Sequence, residues 1–266
     1  MVIRTMYGLF FTFLFVSSAF GQTNLKQYFA DCGFEGSITI YDYKNQNWIM
    51  SDSTESSIQK VPASTFKIIN LLIALETGVI SDELDTVKWI GQINEDLYMH
   101  RPSTYKDMTV KEAFEVSAGW VFMELAKKIG REKYLHYLEA CGYGNRHVND
   151  KADFWNFGPL AISPRNQIEF LVKVYEGKTP FSQRNIEILK RVMINEKNDE
   201  YVLRAKTGWG SQNQQDVGWW VGYVEKNDNV YFFSTRITKD KEDKRPDFQK
   251  CRIDITRNAL KEIGVF

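Results

Sequence analysis

The sequence predicts an α/β protein of the α+β sandwich type: an antiparallel sheet built from both chain ends, flanking helices, and an inserted all-helical lobe. Short runs rich in β-branched and aromatic residues lie near both ends, at residues 37–50 and 201–237. Between them, helical periodicity fills roughly residues 65–180. The 266 residues are 43% hydrophobic, enough to bury a sizeable core, so we expect one domain over residues 22–266.

The first 21 residues differ in character from the rest of the chain. Arg4 is their only charge, residues 9–16 are apolar, and small residues lead to Gly21. This pattern predicts a secretory signal peptide cleaved between Gly21 and Gln22, and therefore a periplasmic protein. An uncleaved anchor is the alternative, but the apolar run is shorter than a bilayer span requires. No stable membrane span is expected after cleavage.

Charge balance narrows the class of partner. The chain has 34 basic and 34 acidic residues, and loss of Arg4 with the signal peptide leaves a net charge of −1. A nearly neutral surface has no electrostatic reason to attract nucleic acid or anionic membranes. We therefore expect a small-molecule substrate, while the oligomeric state stays open at this level.

The first half of the chain contains clear local signals. Residues 37–43 and 48–50 flank a polar turn and predict a hairpin. Residues 65–75 are apolar around most of a helical circumference, which predicts a buried helix. Thr109 and Glu112 have the spacing of a capping box and predict a helix start.

Further helices and then strands are expected downstream. The residue patterns predict helices at 120–129 and 132–140, a helix beginning at Ser163-Pro164, strands at 201–206, 217–225 and 230–237, and a closing helix at 251–263. The Trp219-Trp220 pair lies within a strand, where alternation predicts one core and one surface residue.

The three cysteines are Cys32, Cys141 and Cys251. An odd number leaves at least one thiol free. We expect buried, small apolar side chains. One disulfide is compatible with the sequence, which does not select the pair.

Three Ser-x-x-Lys pairs raise the question of a serine nucleophile with a lysine base. On a helix, residues three apart share a face, so the amine can reach the hydroxyl. Burial lowers the pKa of a lysine and lets it act as a base. Only one of the three lysines lies in an apolar helix; the pairs are Ser57/Lys60, Ser64/Lys67 and Ser103/Lys106. This favours Ser64 as nucleophile and Lys67 as base over the alternative that Lys67 extends to the surface.

The tripeptide Lys206-Thr207-Gly208 is expected at the end of a strand. Lys attracts a carboxylate, Thr offers a hydroxyl, and Gly lets a ligand approach the backbone closely. An ordinary exit from a strand is the alternative. Ser-x-x-Lys at a helix start with Lys-Thr-Gly downstream is typical of serine β-lactamases and penicillin-binding proteins.

Other hydrolytic chemistries do not fit the histidines. His100, His136 and His147 have no metal-ligand spacing, which argues against a zinc hydrolase. A Ser-His-Asp triad would need one of them, and no Gly-x-Ser-x-Gly motif is present. We expect no metal.

Over nearly all the mature chain, the order of motifs resembles the class D (OXA-type) serine β-lactamases. The matching segments are Pro62-Ala-Ser64-Thr-Phe-Lys67, Tyr143-Gly-Asn145, Trp155 with Gly158-Pro-Leu160, Lys206-Thr-Gly208-Trp209 and Gly218-Trp-Trp-Val-Gly222. The resemblance implies hydrolysis of β-lactam antibiotics through a Ser64 acyl-enzyme. It also implies that CO2 or bicarbonate carboxylates Lys67 (N6-carboxylysine), that this group serves as general base in both steps, and that no other cofactor is needed.

The same resemblance implies the remaining roles. Trp155 matches the residue that hydrogen-bonds the carboxylated lysine, and the main-chain N–H groups of Ser64 and Trp209 match the oxyanion hole. Ser117 and Lys206 match the groups that pass a proton to the departing nitrogen. Thr207 and Gly208 complete the substrate-binding strand. Arg252 matches, more loosely, the arginine that holds the substrate carboxylate, with Lys250 as a rival.

One position departs from the family pattern. The family has a branched apolar residue two positions after the middle serine, and here Ser117 is followed by Ala118 and Gly119. Gly removes the apolar cover expected over Lys67, which predicts unusually bicarbonate-dependent hydrolysis. Trp120 is the alternative cover.

Two other functions stay open. A β-lactam sensor domain would acylate and stay acylated, although such receptors carry several membrane spans before the domain. A D,D-peptidase would share the Ser, Lys and Lys-Thr-Gly groups but has no need of Tyr-Gly-Asn with Trp155.

Overall fold

The centre of the protein is a six-stranded antiparallel sheet with strand order β2-β1-β8-β7-β6-β5, which confirms the predicted fold class. The computed structural model describes residues 24–93 and 100–266, so the predicted signal peptide lies outside the described residues. The strands are β1 (Glu35–Asp42), β2 (Asn47–Met50), β3 (Thr86–Val87), β4 (Met108–Thr109), β5 (Ile194–Lys197), β6 (Tyr201–Gln212), β7 (Gln215–Lys226) and β8 (Asn229–Asp240). Strands β3 and β4 form a separate two-stranded sheet.

Helices cover the sheet and fill the middle of the chain. The helices of the described residues are α1 (Lys26–Cys32), α2 (Lys67–Glu76), α3 (Val110–Glu115), α4 (Gly119–Ile129), α5 (Arg131–Cys141), α6 (Phe154–Phe157), α7 (Pro164–Tyr175), α8 (Gln183–Val192) and α9 (Phe248–Glu262). Strand β1 pairs directly with β8, for example Thr39 with Ser234, so the two ends of the chain meet in one sheet.

The local helix signals act as expected. The Thr109 hydroxyl accepts the Glu112 N–H at 3.1 Å at the start of α3, and the Ser163 hydroxyl accepts the Asn166 N–H at 3.2 Å at the start of α7. These caps satisfy N–H groups that have no partner within the helix. Helix α2 is buried along its whole length except for Glu76, as its apolar sequence predicts.

Strands β6, β7 and β8 are longer than the three strands predicted for this part of the chain. Strand β6 continues six residues past Lys206, because it pairs with β7 in unbroken register from Tyr201 to Gln212. Asn213 and Gln214 both have positive φ, as a tight two-residue hairpin turn requires. Glycines at 208 and 210 weaken the strand signal in the sequence. Helices α1, α6 and α8 and strands β3, β4 and β5 were not predicted.

The prediction of one core and one surface tryptophan was wrong. Trp219 and Trp220 point to opposite faces of β7 and are 0% and 2% exposed. Trp219 packs in the core that contains α2, and Trp220 packs in the core that contains α9. Both faces of the sheet are covered, so alternation does not separate core from surface here.

A disulfide joins Cys32, at the end of α1, to Cys251 in α9, with 6.0 Å between the Cα atoms. The expectation that all three cysteines serve as apolar side chains was therefore wrong for this pair. Only proximity in the fold selects it, because the two residues are 219 positions apart. Cys141 is the buried free thiol, and burial raises its pKa to about 12.

Candidate active site

Ser64 and Lys67 face each other at the start of α2. Ser64 lies in a 3-10 turn, Ala63–Phe66, and Lys67 is the first residue of the helix. Because residues three apart share a helical face, the Lys67 Nζ donates a hydrogen bond to the Ser64 Oγ at 2.8 Å. Ser64 is half-buried, whereas Lys67 is 1% exposed. The hydroxyl is therefore accessible while the amine is shielded from water.

The other two Ser-x-x-Lys pairs are arranged differently. Lys60 donates to the Gln215 side chain at 3.3 Å. Lys106 forms an exposed ion pair with Glu112 at 2.8 Å. Of the three lysines, only Lys67 is buried.

Burial gives Lys67 the properties of a base. Desolvation lowers the pKa of Lys67 to about 7, and the Arg101 charge contributes in the same direction. A large fraction of the amine is therefore neutral near pH 7. In that form the nitrogen has a lone pair, and the same 2.8 Å contact allows the Ser64 hydroxyl to donate to it.

The side chain that covers Lys67 is Phe122, one turn into α4. Its ring centroid lies 5.3 Å from the Lys67 Nζ, and the residue is fully buried. Trp120, the alternative cover, is held elsewhere, since its Nε1 donates to the Thr104 carbonyl at 2.7 Å. The expectation that Gly119 leaves Lys67 uncovered was wrong. The bicarbonate dependence drawn from it stays a prediction.

Ser117 and Lys206 lie close to this pair. The Lys206 Nζ donates to the Ser117 Oγ and to the Thr207 carbonyl, both at 3.1 Å. Burial lowers the pKa of Lys206 well below its ordinary value, and the charges of Lys67, Arg252 and Arg101 lower it further. The lowered pKa makes the Lys206 ammonium a stronger proton donor to Ser117 than an exposed lysine would be.

Ser117 has a backbone conformation that is uncommon outside glycine. Its φ is 59°, just after the end of α3. The Ala118 N–H donates to the Ala113 carbonyl at 2.8 Å, and the Ser117 N–H to the Phe114 carbonyl at 3.2 Å. This is a Schellman termination with serine at the left-handed position. The turn separates α3 from α4 and directs the Ser117 hydroxyl to Lys206.

Strand β6 lies directly against the turn that contains Ser64. A Cβ added at Gly208 would be 3.1 Å from the Pro62 carbonyl oxygen, and one at Gly210 would be 3.0 Å from the Ala63 Cβ. A larger residue at either position would crowd the turn, so glycine favours this close approach. Trp209, between the two glycines, is thereby placed with its main chain beside the Ser64 turn. Thr207 and Trp209 are both half-buried.

Arg252 lies beneath β6, whereas Lys250 does not. The Arg252 Nη1 donates to the Gly208 carbonyl, and the residue is 6% exposed. Burial lowers the pKa of Arg252 to about 10. Lys250 is on the outer surface of α9 in an ion pair with Asp254. Of the two candidates, the structure brings only Arg252 to the site.

Trp155 is fully buried and stacks on Phe66, with 4.9 Å between ring centroids and 17° between planes. Its Nε1 has no hydrogen-bond partner within the described part of the chain. A buried donor without an acceptor is costly. A group that accepts this hydrogen bond would therefore be stabilised here.

Asn145 fixes the segment that carries Trp155. The Asn145 side chain donates to the Pro159 carbonyl at 2.8 Å and accepts the Ala161 N–H at 3.1 Å. A Cβ at Gly144 would be 2.3 Å from the Ala161 carbonyl oxygen, so glycine is needed there. The Tyr-Gly-Asn motif therefore joins the two ends of the segment at residues 145–161.

Sequence reasoning missed Phe122 and Arg101. Phe122 belongs to an ordinary apolar helix pattern, and Arg101 is a single arginine in a polar segment. No local signal identifies either one. Within residues 24–93 and 100–266, no group of three or more His, Cys, Asp or Glu side chains is placed to hold a metal ion. Across the same ranges, no helix has the length and apolarity needed to span a membrane.

Comparison with known proteins gives consistent matches over most of the chain. The penicillin binding protein transpeptidase domain matches residues 36–260. β-Lactamase OXA-48 of Klebsiella pneumoniae is 36% identical over 79% of this chain and 78% of its own. The class D β-lactamase of Sebaldella termitidis is 43% identical, with a TM-score of 0.86 over 91% of this chain and 96% of its own. The C-terminal domain of the Bacillus licheniformis BlaR penicillin receptor is 29% identical, with a TM-score of 0.83 over 91% and 96%.

Proposed function

This chain belongs to the class D serine β-lactamases and hydrolyses β-lactams, and from that premise we propose that Ser64 is the nucleophile and that Lys67, carboxylated by CO2, is the general base. The observation that carries the proposal is the 2.8 Å hydrogen bond between the Lys67 Nζ and the Ser64 Oγ. It joins a half-exposed hydroxyl to a buried amine whose pKa is lowered to about 7. Such a pair activates a serine that is otherwise a weak nucleophile.

The residues around Lys67 fit a carboxylated side chain. The amine is buried and largely neutral near pH 7, which is the form that combines with CO2. The buried Trp155 Nε1 lacks an acceptor among the described residues, and we propose that it donates to the carboxylate. When bound to the Lys67 nitrogen, CO2 would supply an anionic oxygen, which is a proton acceptor close to the Ser64 hydroxyl.

The remaining groups act on the substrate in the proposed mechanism. Ser64 attacks the lactam carbonyl, and the main-chain N–H groups of Ser64 and Trp209 hold the developing oxyanion. Lys206 supplies a proton through Ser117 to the departing nitrogen, using the 3.1 Å contact between them. In deacylation, water replaces Ser64 as the nucleophile, and the same base serves both steps.

Substrate binding is proposed along the β6 edge. The Thr207 hydroxyl and the Arg252 guanidinium hold the substrate carboxylate, and Gly208 lets the ligand lie close to the strand. The Arg252 Nε is buried and has no partner within the described residues, so this side chain retains a donor. We propose no metal and no cofactor other than CO2 or bicarbonate. We also propose cleavage after Gly21, export to the periplasm, and a single catalytic domain over residues 22–266.

Steady-state nitrocefin hydrolysis by the purified mature chain tests this function. Wild type should turn over continuously, and Ser64→Ala should neither hydrolyse nitrocefin nor form a penicillin adduct by intact mass. Ser57→Ala and Ser103→Ala, the matched controls from the other two Ser-x-x-Lys pairs, should behave as wild type. A penicillin adduct on Ser64→Ala would refute the choice of nucleophile.

The similarity to the C-terminal domain of the BlaR penicillin receptor defines the contrasting result, a sensor that acylates without deacylating. It predicts one stoichiometric burst of nitrocefin hydrolysis and a stable penicillin adduct. A D,D-peptidase would instead release D-alanine from a cell-wall peptide. Measuring all three activities on one preparation separates the candidates.

A further inference from the structure

Arg101 is a cation at the site that the proposed chemistry leaves without a role. Its guanidinium Nη2 donates to the Val116 carbonyl at 2.7 Å. Its main-chain N–H donates to the Tyr105 hydroxyl at 3.1 Å, and its carbonyl accepts from the Thr104 side chain at 2.8 Å. Val116 is the C-cap that follows α3, and it immediately precedes Ser117. Both the backbone and the side chain of Arg101 are therefore fixed next to the catalytic turn.

The Arg101 charge acts on both buried lysines. Burial lowers the pKa of Lys67 first, and Arg101 lowers it further. For Lys206, burial comes first, followed by the charges of Lys67, Arg252 and Arg101. Among the described residues, the charged groups that shift the pKa of these two amines are all cations. The charged groups around Lys67 therefore favour a negative charge at this position.

We propose that Arg101 is a positioning residue that sets the affinity of Lys67 for CO2, an inference that rests on the carboxylated lysine proposed above. The Lys67 ammonium first loses one proton to solvent. The nitrogen lone pair then forms a bond to the carbon of CO2, and a second proton leaves the nitrogen. The end of the side chain changes from one positive to one negative charge. A fixed cation nearby favours both parts of that change.

The other cations are less suited to this role. Lys206 passes a proton through Ser117 in the proposed mechanism, so its charge changes during the reaction. Arg252 shifts Lys206 and is held by the Gly208 carbonyl. Arginine keeps its charge throughout the working pH range. Arg101 is therefore a permanent cation that lowers the pKa of Lys67, and its contact with the Val116 carbonyl maintains its position.

The test compares Arg101→Gln with Arg101→Lys on the full mature chain. Gln can still donate to the Val116 carbonyl but has no charge, whereas Lys keeps the charge. Arg165→Gln is the control, because Arg165 forms an exposed ion pair on α7, with Glu169. The carboxylated lysine is measured without substrate, by 13C NMR during titration with 13C-bicarbonate at pH 7.5. The bicarbonate concentration that half-saturates Lys67 should rise about three- to tenfold in Arg101→Gln, as expected for the loss of one charge acting across a partly solvated surface. Arg101→Lys should stay within about twofold of wild type by the same reasoning, and Arg165→Gln should be unchanged.

Several results would overturn the inference. One is that Arg101→Gln binds CO2 as wild type does. Another is that Arg101→Gln and Arg101→Lys raise the half-saturating bicarbonate concentration equally, which would indicate a purely structural role. Wild type that hydrolyses nitrocefin but shows no 13C signal would refute the carboxylated lysine and this inference with it. A 13C signal without nitrocefin turnover would refute the proposed function alone. If Arg101→Gln does not fold, added salt tests wild type directly. Salt should screen the charge of the half-buried Arg101 and so raise the half-saturating bicarbonate concentration. No change in that concentration would count against the inference.

Discussion

Replacing Phe122 with alanine tests what keeps Lys67 neutral. The ring is fully buried, 5.3 Å from the Lys67 Nζ, and packs on Phe114 with 6.3 Å between centroids. Its two effects on the amine oppose each other. A ring near an ammonium favours the charged form by about 0.5–2 kcal/mol, whereas exclusion of water lowers a buried lysine pKa by up to about 3–5 units. Desolvation is the largest cause of the lowered Lys67 pKa, so we expect the exclusion of water to outweigh the attraction between the ring and the ammonium.

The magnitude follows from that pKa. With a pKa of about 7, about three-quarters of the Lys67 amine is neutral at pH 7.5. If water reaches one side of the amine and the pKa rises by about one to two units, the neutral fraction falls about 3- to 25-fold. The bicarbonate concentration that gives half-maximal activity should rise by the same factor. The cavity should also lower the free energy of unfolding by about 3–5 kcal/mol.

Nitrocefin hydrolysis in CO2-depleted buffer, with bicarbonate added back stepwise, measures the effect. Phe233→Ala is the matched control, because Phe233 is equally buried but packs on Trp220 in the other core. It should lower stability without changing the bicarbonate requirement. Gly119→Val should also leave that requirement near wild type if Phe122 is the cover. A wild-type bicarbonate requirement in Phe122→Ala, or a lower one in Gly119→Val, would contradict this role for Phe122.

Three further predictions concern the base, the second lysine and the disulfide. Protonation of Lys67 below about pH 7 removes both its lone pair and its capacity to bind CO2. The kcat/KM for nitrocefin should therefore fall as the pH is lowered through 7. A fall centred below about pH 5, the range of an ordinary carboxylate, would contradict this prediction. Lys206→Ala loses the contacts with Ser117 and Thr207. Because a charge-assisted bond contributes about 1.5–3 kcal/mol, kcat/KM should be about 10- to 100-fold lower. An unchanged kcat/KM would place Lys206 outside the site. The Cys32–Cys251 disulfide closes a loop of 219 residues, for which chain entropy predicts about 5 kcal/mol and a Tm about 10 °C lower in Cys32→Ser. Cys141→Ala is the control for that measurement, and equal melting of Cys32→Ser and wild type would refute the estimate.

The sequence determined the parts of this protein that depend on neighbours along the chain. Ser64 and Lys67 meet because they are three residues apart at the start of a buried helix, and the caps at Thr109 and Ser163 are equally local. The hairpin near the amino end and the three long strands near the other end were predicted for the same reason. Motif order then indicated Lys206, Ser117 and Trp155 as site residues without showing how they are arranged.

Tertiary structure decided everything that depends on contacts between distant segments. It selected Cys32 and Cys251 as the disulfide pair, placed Arg252 and not Lys250 beneath β6, and buried both Trp219 and Trp220 between two layers. It also put Phe122 over Lys67 where the sequence had indicated an uncovered amine or Trp120, and it brought Arg101 to the end of α3. A local pattern records which side chains share a face of one element. The water exclusion and the electric field at Lys67 are sums over segments that meet only when the chain folds.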